Sequence, residues 1–291
     1  MGEIDLHIHT TASDGMLMPS QVVRLAKKRN LKAIAITDHD SIDGVREALD
    51  QGRRVSLEVI PGVEISANSK AGNLHLLGYY VQTEDGILKE KLDRLKQARS
   101  ERNPNIVRRL NALGVDISYR EVIQVSGGGQ VGRPHFARVL CDKRYVRTID
   151  EAFDRYLGQG APAYVDKFRF DVKEGIEIVS KAGGVPVLAH PYSLDCTPED
   201  LEKMVSELAR DGLKGIEAFY PDHTPKQTAH YQRLAEKLGL VTTGGSDFHG
   251  TLIKKAELGI IAGGPSLPYT IVEELKRARD SNPWVKPQSS L

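Results

Sequence analysis

Six of the nine histidines lie near the start or end of a predicted strand, and four of them, His7, His9, His39 and His249, belong to short clusters that also hold carboxylates. Imidazole and carboxylate groups ligate divalent metals, and an ion that keeps an open catalytic position uses about three protein ligands. Six imidazoles and at least three carboxylates exceed the need of one such ion, so the sequence predicts two or three divalent metal ions. The clusters are Asp5-Leu6-His7-Ile8-His9 with Asp14 close behind, Thr37-Asp38-His39-Asp40, Glu64 in Gly62-Val63-Glu64-Ile65-Ser66, His75, His190 before Pro191, and Ser246-Asp247-Phe248-His249.

The mixture of ligand types indicates which metals suit these clusters. Histidine together with carboxylate favours manganese, iron or zinc over calcium or magnesium, and manganese is the preferred expectation, with magnesium still possible. Cys141 and Cys196 stand far apart and lack metal-type spacing. If these clusters had only a structural role, many ionisable side chains would be buried without a partner of opposite charge, which costs free energy.

The chain between the clusters has the pattern of an α/β fold with mainly parallel strands, because short apolar runs alternate with longer amphipathic stretches. The clearest predicted helices are Pro19–Arg29 and Leu88–Leu113. In a parallel barrel the carboxyl ends of the strands meet at one face, which would bring remote clusters into one cavity. The predicted strands are Glu3–His9, Ala33–Thr37, Leu57–Ile65, Leu74–Val81, Val185–Ala189, Leu213–Phe219 and Leu240–Thr243.

Spacing within the strands supports a shared site. Residues two apart in a strand point to the same side, so His7 and His9 can face one ion. Only eight residues separate Ile65 from Leu74, whereas a parallel crossover needs about a dozen or more. We therefore expect an antiparallel hairpin through Gly72-Asn73, which would place the start of the strand carrying His75 beside the end of the strand carrying Glu64.

About 100 residues lie between the fourth and fifth predicted strands, far more than one connecting helix requires. We expect residues 96–167 to form an inserted helical lid subdomain, and residues 1–95 and 168–291 to form the barrel. From Arg94 to Arg169 there are 15 Lys and Arg but 8 Asp and Glu, a local charge of +7 in a chain of net charge +1. A basic insert facing an acidic body suggests an anionic ligand between them, although a solvated helical face is the alternative.

Composition narrows the class of protein. The chain has 291 residues, of which 40% are hydrophobic and 27% charged, which excludes disordered and collagen-like proteins. There is no apolar run of about 18 residues and no signal-peptide pattern at the first residues. The sequence predicts a cytoplasmic protein that does not contact membranes, and nothing in it indicates a protein partner.

The clusters together resemble the polymerase and histidinol phosphatase (PHP) family of the amidohydrolase superfamily. The resemblance extends over nearly the whole chain, and the joint occurrence and order of its motifs are specific. It implies a distorted seven-stranded (β/α) TIM-like barrel, in agreement with the seven predicted strands. The matching segments are Asp5-Leu6-His7-Ile8-His9-Thr10, Thr37-Asp38-His39-Asp40, Gly62-Val63-Glu64-Ile65-Ser66, His190-Pro191 and Ser246-Asp247-Phe248-His249-Gly250.

The resemblance also implies a division of ligands among three metals, with Glu64, Asp247 and His249 as the catalytic residues. Asp38 and Asp40 would be partners that orient imidazoles. The implied ligand sets are His7, His9, Glu64 and Asp247 for one metal, Asp14, His39 and His249 for a second, and Glu64, His75 and His190 for a third.

The predicted insert is similar to one branch of this family, which contains nucleoside 3′,5′-bisphosphate phosphatases and 5′-to-3′ exoribonucleases of short RNA. The similar segments are Val131–Arg138 and Pro162–Val165. Arg133 and His135, at the start of a helix after a glycine-rich segment, would then bind substrate phosphate. A plain helix cap is the alternative for this segment.

Together these observations predict that the protein is a metal-dependent phosphoesterase. It would hydrolyse 3′,5′-bisphosphonucleosides or the 5′ ends of short single-stranded RNA through a metal-activated water. No side chain is assigned as general acid. Three alternatives stay open: a phosphatase of another small metabolite such as histidinol phosphate, an enzyme that cleaves a carbon–nitrogen bond, and a metal-binding module without turnover.

Overall fold

One sheet organises the structure, a computed structural model that describes residues 2–70, 72–250, 256–261 and 266–285. Its strands follow the order β1-β2-β3-β4-β6-β7-β8, and β5 pairs with β3 outside that path. The ends of the predicted barrel ranges, residue 1 and residues 286–291, lie outside the described residues. The strands are β1 Ile4–Asp5, β2 Ala33–Ile36, β3 Glu58–Ser69, β4 Gly72–Tyr79, β5 Phe170–Asp171, β6 Val185–Leu188, β7 Gly215–Phe219 and β8 Val241–Gly244.

The sheet closes on itself at its first and last strands. The amide of Leu6 donates to the carbonyl of Gly244 at 3.3 Å, and Ile8 pairs with Phe248 in parallel. The seven strands of the path therefore form a nearly closed barrel, and the predicted fold class is confirmed. The two-residue strand β5 was not predicted.

Strand β4 runs opposite to both of its neighbours. It pairs antiparallel with β3 and with β6, whereas the other pairs in the path are parallel. The predicted hairpin is thus confirmed, but its turn lies earlier in the chain. Because β3 continues past Ile65 to Ser69, Gly72 and Asn73 are the first residues of β4 and pair with Ser69 and Asn68.

Both faces of the strands are buried, which explains their nearly continuous apolar sequences. In β2, Ala33 and Ala35 belong to one hydrophobic cluster, and Ile34 and Ile36 belong to another on the opposite side. The cluster that holds the two alanines also contains Leu275 of the last helix.

The helices surround this sheet. The predicted helix Pro19–Arg29 is confirmed and ends at Lys28; it begins with proline in its first turn and buries Val22, Val23 and Ala26. Among the described residues, no helix is both long enough and apolar enough to cross a bilayer. The helices are α1 Pro19–Lys28, α2 Val45–Val55, α3 Gly86–Ala112, α4 Tyr119–Val125, α5 Arg133–Asp142, α6 Ile149–Ala152 followed by a π-helical turn Phe153–Leu157, α7 Val172–Lys181, α8 Pro198–Arg210, α9 Pro225–Leu238 and α10 Thr270–Asp280, with a 3-10 turn Pro191–Ser193.

Helix α3 runs through the predicted boundary at residues 95 and 96. Its first turns contribute Leu88, Leu92 and Leu95 to the barrel core, and its later turns contribute Ile106 and Leu110 to a separate cluster. That second cluster is formed by residues of α4, α5, α6 and the segments that join them. Residues 96–167 thus have apolar packing of their own, while their limits as a subdomain stay a prediction.

Candidate metal centre

The predicted metal ligands meet at one mouth of the barrel. Most follow the carboxyl ends of parallel strands, and His75 lies near the start of β4, which reaches the same edge because β4 is reversed. Glu64 lies within β3 and is almost completely buried, at 1% exposure. The residues brought together are His7, His9, Asp14, His39, Glu64, His75, His190, Asp247 and His249.

His7 and His9 face the same side, as their spacing predicts. Their Nε2 atoms are 3.1 Å apart, and Glu64 Oε2 lies 3.3 Å from His7 Nε2 and 3.2 Å from His9 Nε2. Asp247 Oδ1 lies 3.4 Å from the first of these nitrogens and 3.1 Å from the second. Ligands about 2.0–2.2 Å from one ion lie at roughly such separations from each other, so this group can hold a metal.

A second group of donors surrounds Asp14. His249 Nε2 lies 3.4 Å from Asp14 Oδ1, and His39 Nε2 lies 3.8 Å from Asp14 Oδ2. His9 belongs here too, since its Nδ1 is 3.8 Å from Asp14 Oδ1. The donor atoms of these four residues lie within 4.8 Å of one another.

The third group is organised by the other oxygen of Glu64. Its Oε1 lies 2.8 Å from His75 Nδ1 and 2.9 Å from His190 Nε2. His39 also approaches this carboxylate, with its Nδ1 2.9 Å from Oε2. Glu64 therefore joins two groups, as the resemblance implies, whereas His39 stands between the second and third groups instead of in the second alone.

Several buried polar atoms in these groups lie close to other donor atoms of the centre but make no hydrogen bond of good geometry. They are Asp14 Oδ1, His39 Nδ1 and Glu64 Oε2. Buried oxygens and nitrogens without hydrogen bonds are costly, and divalent cations bound by the three groups would satisfy them. The residues present thus fit divalent metals, and the assignment of each residue to a particular ion stays a prediction.

Glu217, a residue missing from the predicted site, positions two of the candidate ligands. It is fully buried in β7; its Oε1 accepts a hydrogen bond from His7 Nδ1 at 2.8 Å, and its Oε2 accepts from the amide of His190 at 2.8 Å. A carboxylate at Nδ1 fixes the imidazole tautomer and leaves Nε2 free for metal. The only signal in the sequence is an acidic residue in the middle of the apolar strand Gly-Ile-Glu-Ala-Phe.

The described hydrogen bonds of Asp38 and Asp40 lead to groups other than imidazoles. Asp38 approaches His9 only through Ser13, whose Oγ lies 3.5 Å from His9 Nδ1, so a role of Asp38 in orienting His9 stays a prediction. Asp38 accepts hydrogen bonds from the amide of Thr10 at 2.7 Å and from the hydroxyl of Ser13 at 2.6 Å, and thereby fixes the loop after β1. Asp40 pairs with Arg99, whose Nη2 is 2.8 Å from its Oδ2. Among the described residues, neither aspartate hydrogen-bonds to an imidazole.

The ionisable side chains of the centre shift one another's pKa values. Burial opposes the charged form of His9, but Asp247 and Glu64 outweigh it and raise its pKa to about 10. Burial likewise opposes the charged carboxylate of Asp14, but His39 and His249 hold its pKa well below the usual value. In contrast, burial lowers the pKa of His75 to about 4. In the metal-free protein, a proton therefore occupies His9 near neutral pH and must leave before a metal binds this imidazole.

Two candidate ligands have unusual backbone conformations. His190 has a φ of 23° and Asp247 a φ of 51°, values that side-chain-bearing residues seldom adopt. Such strain persists where the surrounding structure imposes it. Asp247 is further held by the hydroxyl of Tyr220, which donates to its Oδ2 at 2.7 Å.

Arg133 and His135 lie in the first turn of α5. The Nη1 of Arg133 donates to the carbonyl of Leu157 at 3.1 Å, and its guanidinium lies over the rings of Phe153 and Tyr164. His135 Nδ1 accepts from the amide of Gly132 at 2.9 Å, so this residue caps the helix with one of its nitrogens. Phosphate binding by the two residues stays a prediction.

Two glycines permit the predicted insert to approach the centre closely. A Cβ at Gly129 would lie 1.8 Å from the carbonyl oxygen of Thr11, and a Cβ at Gly132 would lie 3.1 Å from Asp14 Oδ2. The backbone of the insert therefore packs directly against the loop that carries Asp14.

A cavity of about 690 Å³ opens from the centre toward α5 and α6. Asp14, His39, Asp247 and His249 form its inner end. Its outer walls come from both parts of the chain and include Pro134, Arg138, Ile149, Phe153, Tyr220 and Asp222. A small molecule in this cavity would contact the metal ligands and the insert together.

Comparison with known proteins agrees with this geometry. The PHP domain model matches residues 5–160. The 5′-3′ exoribonuclease of Haemophilus influenzae is 34% identical over 245 residues, which cover 84% of this chain and 89% of that protein. The 3′,5′-nucleoside bisphosphate phosphatase of Chromobacterium violaceum is 30% identical over 250 residues, which cover 86% of this chain and 88% of that protein.

A solved structure shares the whole architecture. It is a protein of Bifidobacterium adolescentis, provisionally classed as a metal-dependent phosphoesterase, with a TM-score of 0.84 and 28% identity over 94% of this chain and 96% of that one. The family match covers more than half of the chain, and the relatives align with most of it. The chain belongs to the PHP domain family and is a metal-dependent phosphoesterase.

Proposed function

We propose that the enzyme hydrolyses phosphate esters of nucleotides, either 3′,5′-bisphosphonucleosides or the 5′ ends of short single-stranded RNA. The observation that carries this proposal is the cavity that runs from the metal ligands to the basic insert. A substrate bound there would place one phosphate at the barrel mouth and its remaining parts against α5 and α6. The relatives from Haemophilus influenzae and Chromobacterium violaceum, named for RNA and nucleotide substrates, support the same substrate class.

We assign two or three divalent ions to the centre, with manganese preferred and iron, zinc or magnesium as alternatives. His7, His9, Glu64 and Asp247 would hold one, and Asp14, His39 and His249 a second. His75 and His190, with Glu64, would hold a third. Bound metals supply Lewis acidity and a water of lowered pKa at neutral pH.

Three residues are proposed to act at the reacting atoms: Glu64, Asp247 and His249. Glu64 presents one oxygen to each of two donor groups, which fixes the spacing between them. Asp247 is oriented by Tyr220, and His249 by a hydrogen bond from its Nδ1 to the carbonyl of Asp247 at 2.8 Å. This preorganisation would hold the phosphate in line for displacement.

We infer that residues 96–167 act as a lid that selects substrate, and that the barrel performs the reaction. Arg133 and His135 are the proposed contacts to substrate phosphate, since both belong to the first turn of α5 beside Asp14. We place this reaction in the cytoplasm, a location that suits the two free cysteines, Cys141 and Cys196.

The test is phosphate release, with manganese or magnesium, from adenosine 3′,5′-bisphosphate and nucleotide release from short 5′-phosphorylated RNA. We expect turnover of at least one of them, and Asp247→Ala should abolish it and lower the bound metal while the far-UV circular dichroism stays unchanged. Asp280→Ala, an exposed aspartate on α10, is the matched control. Faster turnover of histidinol phosphate or of an amide would favour the other enzyme classes, and no turnover of any ester by the metal-loaded protein would favour a binding module.

A further inference from the structure

Asp40 is a fully buried carboxylate that lies between the metal centre and the predicted insert. It follows the candidate ligand His39 in the chain, and its amide donates to the carbonyl of Glu64 at 2.9 Å. Its Oδ1 accepts from the amide of Ser66 at 2.7 Å, and its Oδ2 accepts from the hydroxyl of the same serine at 3.0 Å. Asp40 is therefore fixed to strand β3, which carries Glu64.

The two ends of the insert meet at one oxygen of this carboxylate. Arg99, near the start of the insert, donates to Asp40 Oδ2 from its Nε at 2.9 Å and lies 2.8 Å from it with its Nη2. Lys167, the last residue of the predicted insert, donates to the same oxygen from its Nζ at 3.1 Å. The side chains of both cations are almost completely buried. One carboxylate thus holds the chain where it enters the insert and where it leaves.

The glycine-rich segment of the insert contacts the residue before Asp40. Gln130 donates from its Nε2 to the carbonyl of His39 at 3.0 Å. The beginning, the middle and the end of the insert therefore all contact the dipeptide His39-Asp40. The imidazole of His39 stands between the second and third groups of donors, so a shift of this dipeptide would displace a donor that both groups share.

The backbone and the charge of Asp40 both show how firmly this dipeptide is held. Its φ of 52° is a conformation that residues with a side chain seldom adopt and that persists only where the surrounding structure imposes it. Burial opposes the charged form of Asp40, but Lys167 and Arg99 outweigh it and hold its pKa well below the usual value. The carboxylate is thus ionised at neutral pH, and separating it from its cations would leave buried charges without partners.

We propose that Asp40 is a positioning residue that couples the insert to the metal centre. Because it holds both ends of the insert against the segment that carries His39, the position of the insert and the binding of metal depend on each other. Such coupling is reciprocal, so each of the two changes favours the other equally. The inference rests on the proposed role of residues 96–167 as a lid, and it adds the residue that links the lid to the metals.

Asp40→Asn in the full chain removes the charge and keeps the shape of the side chain. We expect manganese affinity to fall by about five- to 150-fold, the usual size of coupling between two sites, although Asp40 is not a candidate ligand. A manganese titration followed by electron paramagnetic resonance of the free ion measures this fall. At saturating manganese, kcat/KM for adenosine 3′,5′-bisphosphate should also fall, whereas kcat/KM for p-nitrophenyl phosphate, which lacks a nucleoside to contact the insert, should change little.

Asp43→Asn is the matched control, because Asp43 lies in the same loop and pairs with Lys96 of the same helix α3 at 3.1 Å. Asp43 is exposed, and surface ion pairs contribute little. Manganese affinity and the ratio of the two kcat/KM values should stay as in the unchanged protein. A loss of manganese affinity equal to that of Asp40→Asn would show that any contact of this loop with α3 suffices and would overturn the role of Asp40.

Lys167→Met tests the same link from the side of the insert, and it carries the test alone if Asp40→Asn does not fold. We expect manganese affinity to fall here too, Lys167→Arg to retain part of it, and the double variant with Asp40→Asn to lose less than the two single losses combined. A lowered thermal midpoint with unchanged manganese affinity and unchanged substrate ratio would show that these residues only stabilise the fold and would overturn the proposal. Absence of turnover of every phosphate ester by the unchanged enzyme would refute the proposed function, while the manganese titrations would still decide the coupling.

Discussion

His7 illustrates how a single residue is prepared for metal binding. Its Nδ1 is engaged by Glu217, so its Nε2 points to His9 and Glu64. Glu217 also accepts from the amide of His190, so one carboxylate positions two candidate ligands.

We predict that Glu217→Gln lowers metal affinity by about ten- to a hundredfold, because the neutral amide fixes the imidazole less strongly. Titration of the purified protein with manganese, followed by atomic absorption, measures the effect. Glu202→Gln, at an exposed carboxylate of α8, should bind metal normally. Unchanged affinity in Glu217→Gln would mean that His7 is held by its neighbours alone.

Metal binding should strengthen as pH rises. The pKa of His9 is raised to about 10, so its proton must leave before a metal binds, and each unit of pH makes that exchange easier. In the metal-free protein the raised pKa has the opposite effect: it stabilises the fold below the ordinary histidine pKa of about 6.5, and that stabilisation is lost as pH rises toward 10. The rise in thermal midpoint caused by manganese should therefore be larger at pH 8 than at pH 6. An equal rise at both values would contradict this coupling.

Sequence motifs predict the residues that carry the donors but not the residues that orient them. His7 and His9 are recognisable because two imidazoles alternate along a strand next to a carboxylate. Glu217 meets His7 across 210 positions of the chain, and Tyr220 meets Asp247 across 27. Both contacts depend on how the strands are arranged in the folded barrel, so the spacing of residues within one segment does not predict them.

At the scale of elements, the predicted alternation of strands and helices is confirmed, and the differences have physical causes. Strand β3 extends beyond its apolar segment because β4 and β5 both pair with its last residues. Strand β5 was not predicted because a strand of two residues is too short to show the alternation of apolar and polar residues. Helix α3 crosses the predicted domain boundary because its apolar residues change partner along its length, from the barrel core to the core of the insert.

The contact between the glycine-rich segment and the loop after β1 gives an element-scale prediction. Gly129→Ala places a methyl group against the carbonyl of Thr11, so the insert must shift away from Asp14. We expect a loss of about 1–3 kcal/mol in unfolding free energy, as for other overpacked sites, and a lower kcat/KM for nucleotides. Chemical denaturation and steady-state kinetics measure the two quantities.

Gly86→Ala is the matched control, because a Cβ there meets nothing within 4 Å. That change should be neutral or slightly stabilising. If Gly129→Ala behaved like Gly86→Ala, the insert would tolerate movement at this contact, and its close approach would not matter for substrate binding.

Over the whole molecule, charge is distributed unevenly. The segment from Arg94 to Arg169 carries +7 while the complete chain carries +1, so the rest of the chain is acidic. Two buried carboxylates of that acidic part, Asp14 and Glu64, belong to the metal centre, and the basic part faces the centre across the cavity. Cations on one wall attract an anionic substrate before it reaches the ions.

This arrangement predicts a salt dependence. An increase of ionic strength from 0.1 M to 1 M shortens the screening length from about 10 Å to about 3 Å. We expect kcat/KM for adenosine 3′,5′-bisphosphate to fall more steeply with potassium chloride than kcat/KM for p-nitrophenyl phosphate, which carries fewer charges. Parallel declines for the two substrates would show that salt acts on the metal centre and not on attraction by the insert.

The seam between the first and last strands has a consequence for synthesis on the ribosome. His7, His9 and Asp14 leave the ribosome more than 200 residues before Asp247 and His249. The seam forms when the amide of His9 reaches the carbonyl of Phe248 at 2.9 Å. A nascent or prematurely terminated chain therefore lacks a complete set of donors, whatever part of the sheet has already folded. Phosphoesterase activity is therefore expected only from chains that have been translated past His249.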